Sequence, residues 1–339
     1  MNRRLLRIAG RVLYTIGISI VCLTVAAGIL IYHGPFTHVR DAIVVQAMST
    51  NEQKYWATWF LSPDEINAIM DEAGPKLTTA TQNVDAIKVT PLPSGVTPAA
   101  ADSSSPAPNL AGVTVTDISG PGYHGKLMTV SDPARMTVGL SPTLGESGTR
   151  LSQIASASHA IGGVNAGGFL DDNFIQNGAL PSGIVITNGV IRWQQKNVDS
   201  FDIIGFNTDD VLVVDNSMTL SQIRAAHLRD AVSFGPALVI NGKSLVVSGG
   251  TTLQPRTAIG QRTDGTVLML VIDGRQSSSD GATYATVADL MLRYGAYNAA
   301  SLDGGSSTTM YWDGKVINSP CDILGERSIP TAFLVLPQN

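Results

Sequence analysis

From Val12 to Val39 the chain carries no Asp, Glu, Lys or Arg, and Val12 to Tyr32 supplies 21 mostly apolar residues in a row. A helix needs about 20 such residues to cross a hydrocarbon layer, so this pattern predicts a membrane-spanning helix over 12–32. Later helices are short and one-sided. Thr283 to Tyr294 places Val287, Leu290, Met291 and Tyr294 on one stripe, and Gly295 is placed to end it. Thr149 to Ser158 turns Leu151, Ile154 and Ala155 inward, while Thr219-Leu220-Ser221-Gln222 has capping-box spacing ahead of Ile223 and Ala226. Ser62-Pro63-Asp64-Glu65 is a helix start: serine can cap, proline fits the first turn, and the two acids suit the positive end of the helix dipole. Ile66, Ile69 and Met70 then give a short apolar face.

The rest of the carboxyl-terminal half is patterned for strands. Runs at Lys126–Val130, Met136–Leu140, Ile161–Val164, Pro181–Thr187, Val190–Trp193, Val267–Ile272 and Tyr297–Leu302 are apolar or alternating. Asn188-Gly189 and Asn241-Gly242 are two-residue hairpin turns. Hairpins mixed with a few helices predict an α+β fold with mixed or antiparallel sheets, preceded by one transmembrane helix. No repeat of 20 to 50 residues is present, which argues against a solenoid or propeller.

Composition divides the chain. Residues 1–11 form a basic tail with Arg3, Arg4, Arg7 and Arg11, which orients the span 12–32 with its amino end in the cytoplasm and the main domain outside. A cleaved signal with Ala26-Ala27-Gly28 as its processing site is the competing reading; either way the remainder is exported. Residues 33–77 are a membrane-proximal helical region. Its Trp56, Trp59 and Phe60 could sit at the outer membrane interface or pack a small helical hairpin, and their distance along the chain from Tyr32 favours packing.

Residues 78–110 are expected to be a linker, since Pro91 to Pro108 holds five prolines, four serines and four alanines with only Asp102 charged. Residues 111–339 then form one domain of ordinary size. Net charge is −5, and setting aside the four amino-terminal arginines leaves 18 basic against 27 acidic residues, or −9. No basic stripe remains for nucleic acid. Cys22 lies in the span and Cys321 stands alone outside it, so no intrachain disulfide is expected; Cys321 is expected to be buried as a small apolar residue with no catalytic role.

Chemistry concentrates where predicted strands end in polar residues beside glycines: Asn165 with Gly167 and Gly168, Asp273 with Gly274 and Arg275, and Asp303 with Gly304 and Gly305. Asp-Gly after a strand is most often only a turn, and for Asp273 alone that reading would stand. If the three strand ends share one rim, glycines keep its floor low and carboxylates supply its charge.

The stretch Ser301-Leu302-Asp303-Gly304-Gly305-Ser306-Ser307-Thr308-Thr309-Met310 resembles the LDGGGSSTM signature of the phosphodiester glycosidase family. Further matches follow the family's order: Asn165-Ala166-Gly167-Gly168-Phe169, Pro255-Arg256-Thr257-Ala258-Ile259-Gly260, Asp273-Gly274-Arg275 and Glu326-Arg327. Ser306 replaces the family's usual third glycine. The resemblance implies cleavage of a sugar, of the N-acetylglucosamine 1-phosphate type, from a phosphodiester. Such a reaction needs carboxylates facing the sugar and arginines facing the phosphate. Asp303 is the expected principal carboxylate, with Glu326 or Asp273 as partner. Arg256, Arg275 and Arg327 are candidate phosphate clamps, and Asn165, Gly167, Gly168, Gly304, Gly305, Ser306 and Ser307 are expected to contribute substrate-binding groups. Glu326-Arg327 outside that context would be a surface ion pair.

The substrate class expected is a carbohydrate or phosphate-containing polysaccharide at the cell surface; the alternative is a polysaccharide-binding or assembly protein that uses the same pocket without turnover. A serine hydrolase is disfavoured, because Ser306 and Ser307 lack the Gly-x-Ser-x-Gly elbow and no His is placed to activate them. No cofactor is expected. His124, His159 and His227 lack zinc spacing, while Asp171-Asp172-Asn173 could hold a divalent cation such as calcium or be a solvated loop.

Overall fold

The computed structural model describes residues 3–48, 53–89, 110–170, 177–322 and 324–338, with side chains from Arg11 onward. It divides into two units, Met1–Gly74 and Pro75–Asn339. The Pro91–Pro108 stretch and Asp171-Asp172-Asn173 lie outside the described residues.

The first unit is helical. Helix α1 (Arg3–His33) contains an apolar segment, Arg11–His33, long enough to cross a membrane. Helices α2 (Thr37–Met48), α3 (Tyr55–Thr58) and α4 (Pro63–Ala73) follow. Tyr32, Val44, Ala47, Ala57, Leu61, Ile66 and Ile69 form their shared core. As the sequence predicts, Ser62 caps α4: its side chain accepts from Glu65 N at 3.3 Å, and the Glu65 carboxylate accepts from Ser62 N at 2.8 Å. Those hydrogen bonds hold the Glu65 carboxyl below its usual range.

The second unit is α+β. A seven-stranded sheet runs, in spatial order, Lys243–Ser244, Ala237–Ile240, Asn298–Leu302, Arg256–Gln261, Val267–Ile272, Tyr123–Val130 and Val113–Gly120. One five-stranded sheet orders Lys315–Val316, Met310–Trp312, Gly162–Asn165, Thr331–Val335 and Met136–Leu140. Another orders Val190–Gln194, Ile184–Thr187, Leu228–Val232, Ser200–Asn207 and Leu212–Thr219. Neighbouring strands in all three pair antiparallel. Their inward faces meet in one core that includes Met128, Val164, Val185, Phe206, Ile259, Val271 and Phe333.

Helices cover the outer faces. Helix α5 (Leu151–Ala157) buries Leu151, Ile154 and Ala155 against Ala332 and Leu334. Helix α6 (Leu220–Ala225) opens on the Thr219–Gln222 capping box and buries Ile223. Helix α7 (Tyr284–Arg293) is capped by Thr283 and buries Val287, Ala288, Leu290 and Met291 against the seven-stranded sheet. Gly295 follows it at φ 86°, a left-handed conformation that glycine adopts without a Cβ penalty.

The domain starts earlier than 111, and the expected linker over 78–110 is too long at its amino end. Pro75–Leu77 pairs antiparallel with Val246–Gly249. Gln82 donates to Leu212 O and accepts from Val214 N at 2.8 Å, and Lys88 N donates to Thr263 O at 2.8 Å. Polar side chains that complete the hydrogen bonding of strands leave no apolar period, so the pattern of the sequence concealed this segment.

Candidate active site

The antiparallel register decides which strand ends meet. Arg256 and Thr257 open the central strand, with Arg256 opposite Ile272 on one side and Thr257 opposite Leu302 on the other. Asp273 and Asp303 therefore leave the sheet at the same edge, on either side of the central strand. The second sheet joins them through Asn165 at the end of Gly162–Asn165. Asp303 N donates to Ala166 O at 3.0 Å, and Asn165 Nδ2 donates to Asp303 O at 2.5 Å. Three strand ends from two sheets thus converge.

Asn165 is fully buried, and its Oδ1 accepts from Thr257 Oγ1 (2.9 Å) and Thr309 N (3.1 Å). Its amide is committed to holding the Asp303 turn, so the expected direct contact with substrate gives way to a positioning role. Gly167 and Gly168 are also buried. A Cβ on Gly168 would lie 2.7 Å from Ser182 Oγ and 2.8 Å from Phe234 Cδ2, and one on Gly167 would lie 3.0 Å from Val232 Cβ. These glycines serve close packing between sheets rather than an open pocket floor.

After Asp303 the chain turns through Gly305–Ser307 in a single 3-10 turn. Gly305 takes φ 58°, and its N–H donates to Pro255 O at 2.9 Å. A Cβ there would lie 3.5 Å from Arg275 Nη2, which places the guanidinium alongside the turn. Arg327 Nη1 donates to Ser306 Oγ at 2.9 Å, and its guanidinium lies 4.8 Å from the centre of the Phe169 ring. Two arginines from distant loops therefore meet the turn that follows Asp303. Ser306, in place of a third glycine, is used as an anchor for one of them. Ser307 is buried beneath the turn.

The other candidates divide. Asp273 Oδ1 accepts from Asn318 Nδ2 (2.9 Å) and Ser319 N (3.1 Å); burial pushes its pKa up, and those hydrogen bonds oppose the shift. Arg275 Nε donates to Gln254 Oε1 at 2.8 Å. Arg256 is buried, donates to Ala282 O (3.0 Å) and Thr252 O (3.2 Å), and stacks 3.8 Å above Tyr284. Burial is the main cause of its lowered pKa. Those contacts make it a loop brace, in contrast to the expected phosphate clamp.

Glu326 accepts from Ser152 N at 2.9 Å, at the first turn of α5, whose own N-cap residue Arg150 makes no side-chain cap. Its carboxylate serves the helix dipole, and this is the contact the structure gives this residue. Cys321 is half-buried rather than fully buried; burial raises its pKa, and the neighbouring Arg275 opposes this.

Thr257, Asn318, Phe169 and Gln254 complete the site, although none of them is marked by its sequence pattern as a functional group. Phe169 and Thr257 both stand in the family's motifs, and Asn318-Ser319-Pro320 carries turn chemistry; Gln254 gave no signal. Among the described residues no group of three His, Cys, Asp or Glu is placed to hold a metal. A concavity of about 680 Å³ is lined by Ser182, Asp202, Asn216, Ser233 and Phe234, of which Ser182 and Phe234 pack against Gly168. Asp202 opens onto it, and partial burial together with Asp215 pushes its pKa up to about 6.

Comparison with known proteins bears on family and fold. The chain is 34% identical over 116 residues to the SPbeta prophage-derived uncharacterized protein YomE of Bacillus subtilis (strain 168), a match covering 33% of this chain and 18% of that protein. The match thus spans less than a fifth of that relative's length. The fold of the present chain is similar to the catalytic domain of zebrafish N-acetylglucosamine-1-phosphodiester alpha-N-acetylglucosaminidase auto-inhibited by its pro-peptide. That likeness has a TM-score of 0.56 at 18% identity and covers 79% of this chain and 99% of the other. A Burkholderia pseudomallei K96243 protein described as exported gives a TM-score of 0.50 at 17% identity, covering 63% and 74%. At these identities the likeness is one of fold. The family model for phosphodiester glycosidases matches residues 158–336, more than half of the chain and the whole span from Asn165 to Arg327, and the chain belongs to that family.

Proposed function

We propose that the protein is a membrane-anchored, exported hydrolase that cleaves a sugar from a sugar 1-phosphodiester in a surface or exopolysaccharide polymer. The observation that carries this is the meeting of Arg275 and Arg327 on the turn directly after Asp303. The bond to be broken joins an anomeric carbon, where positive charge develops, to an oxygen of a phosphate that leaves with negative charge. Two guanidiniums at one end and a carboxylate at the other match that polarity.

In this reading Asp303 stabilises or attacks the anomeric carbon, and Arg275 and Arg327 receive the departing phosphate monoester. Water supplies the hydroxyl of the released sugar. Asp273, with its raised pKa, is the better partner carboxylate than Glu326, whose oxygen caps a helix. A phosphate needs little protonation to leave, so the clamp carries more of the rate than the acid does. The zebrafish relative's name supplies the first substrate to try, an N-acetylglucosamine 1-phosphodiester.

The test is sugar release by the full chain in detergent, with Asp303→Asn as control. Release by wild type alone supports the reading. Binding of the polymer with no release by either form would favour a non-catalytic polysaccharide-binding role.

A further inference from the structure

The first unit presents an aromatic surface that its own core does not use. Tyr55, Trp56 and Trp59 are 40%, 51% and 75% exposed, with the Tyr55 ring 5.5 Å from that of Trp56 and 5.2 Å from that of Trp59. Three large amphipathic rings in one exposed cluster need an occupant, because each carries about 150–250 Å² of surface. No charged residue interrupts the run Tyr55 to Leu61; Glu52 and Lys54 precede it in the sequence, and Asp64 and Glu65 follow it in the first turn of α4.

The height of this cluster is fixed by contacts to α1. Phe60 stacks on Tyr32 with ring centres 4.6 Å apart, and a Cβ on Gly28 would lie 2.8 Å from the Phe60 ring. Tyr32 Oη donates to the carbonyl of Trp56. The aromatic segment is therefore bolted to the last turns of the apolar Arg11–His33 stretch, where Ile29 and Leu30 are 52% and 54% exposed. Phe36 and Val39, just beyond, are also exposed. An exposed aromatic cluster tied to the last turns of an apolar span has the make-up of a membrane-interface belt.

We infer that Tyr55, Trp56 and Trp59 seat the α2–α4 helices in the outer headgroup layer of the bilayer that α1 crosses. The inference rests on the membrane-anchored reading and goes beyond it, since a span alone requires no second contact with lipid. It also divides the aromatic group: Phe60 packs inward, while the two tryptophans face lipid.

The test uses the full chain with Trp193→Phe and Trp312→Phe, so that only Trp56 and Trp59 emit, reconstituted in phosphatidylcholine–phosphatidylglycerol vesicles with brominated acyl chains. Expected is an emission maximum shifted to shorter wavelength, loss of emission to bromines near the headgroup end of the chain, less loss to bromines at the bilayer centre, and protection from aqueous iodide. Trp56→Ser with Trp59→Ser, scored by retained folding of the remainder, should abolish the lipid-quenched emission.

Two results overturn the inference while leaving the anchor intact: iodide quenching equal to that of free tryptophan, or a blue-shifted emission insensitive to every bromine, which would mean a protein covers the patch. Release of the chain from vesicles by alkaline carbonate would overturn the anchor itself and the inference with it.

Discussion

Asn165 Nδ2 donates to the main-chain carbonyl of Asp303 at 2.5 Å while its Oδ1 accepts from Thr257 and Thr309, so one buried amide ties together the ends of four strands. Asn165→Ala strands a carbonyl, a hydroxyl and an amide N–H in a dry interior. We expect a loss of about 2–4 kcal/mol, measured by urea unfolding, since each buried orphan costs about 1–3 kcal/mol. Turnover should fall even in preparations that remain folded, because the Asp303 turn loses its tether.

The two glycines after Asp303 should respond differently to alanine. At Gly304 a Cβ would meet the backbone oxygen of Pro255 at 2.8 Å, and backbone yields little; Gly304→Ala should cost about 1–3 kcal/mol. At Gly305 the nearest neighbour is the flexible Arg275 side chain at 3.5 Å, and the main cost is φ 58°, about 1–2 kcal/mol. Thermal unfolding compares the pair; a larger loss at Gly305 would contradict this ordering.

Arg327 is held by Ser306 and by the face of Phe169. Lysine keeps the charge but loses the planar fork, so Arg327→Lys should lower kcat/KM by about tenfold or more, a loss of about 1.4 kcal/mol in transition-state stabilisation. Ser306→Gly, which restores the family's third glycine, should lower it by a smaller factor through a looser Arg327. Steady-state kinetics on a sugar 1-phosphodiester reads both.

Glu326→Gln separates a capping role from a catalytic one. Glutamine still offers an oxygen to Ser152 N, so stability should change by less than about 1 kcal/mol and activity by no more than a few-fold. Loss of all turnover with stability intact would return Glu326 to the chemistry.

Burial raises the Asp273 pKa. If Asp273 donates a proton, kcat/KM should fall on the alkaline side at a pH above the ordinary carboxylate range, and Asp273→Asn should remove that limb from the profile.

Asp202 titrates at about 6 in the folded chain against 3.8 ordinarily, so the folded state holds its proton more tightly than the unfolded state. Its favourable contribution is fully present below pH 3.8 and is lost as pH rises through about 6, leaving an ionisation cost above that. Asp202→Asn should therefore be more stable than wild type above about pH 6, by about 1 kcal/mol once solvent screening at this accessible side chain is allowed for, and the gain should fade as pH falls toward 3.8. Denaturant titrations at the two pH extremes check the sign.

What the sequence by itself determined was local. The uncharged stretch of α1, the caps at Ser62 and Thr219, the turns at Asn188-Gly189 and Asn241-Gly242, and the strands 136–140 and 267–272 follow from period, capping and turn chemistry acting over a few neighbours. The motifs also marked which strand ends hold chemistry. Only the tertiary structure decided which partners each marked residue meets. Asn165, Arg256 and Glu326 are polar residues in the family's motifs, yet their partners, Asp303 O, Ala282 O and Ser152 N, come from sequence-distant segments. Antiparallel register brings Asp273 and Asp303 to one edge, and loop closure brings Arg275 and Arg327 to one turn. A residue's type fixes the hydrogen bonds it can make, whereas the packing of sheets fixes the partners within reach, and the second condition separates a clamp from a brace.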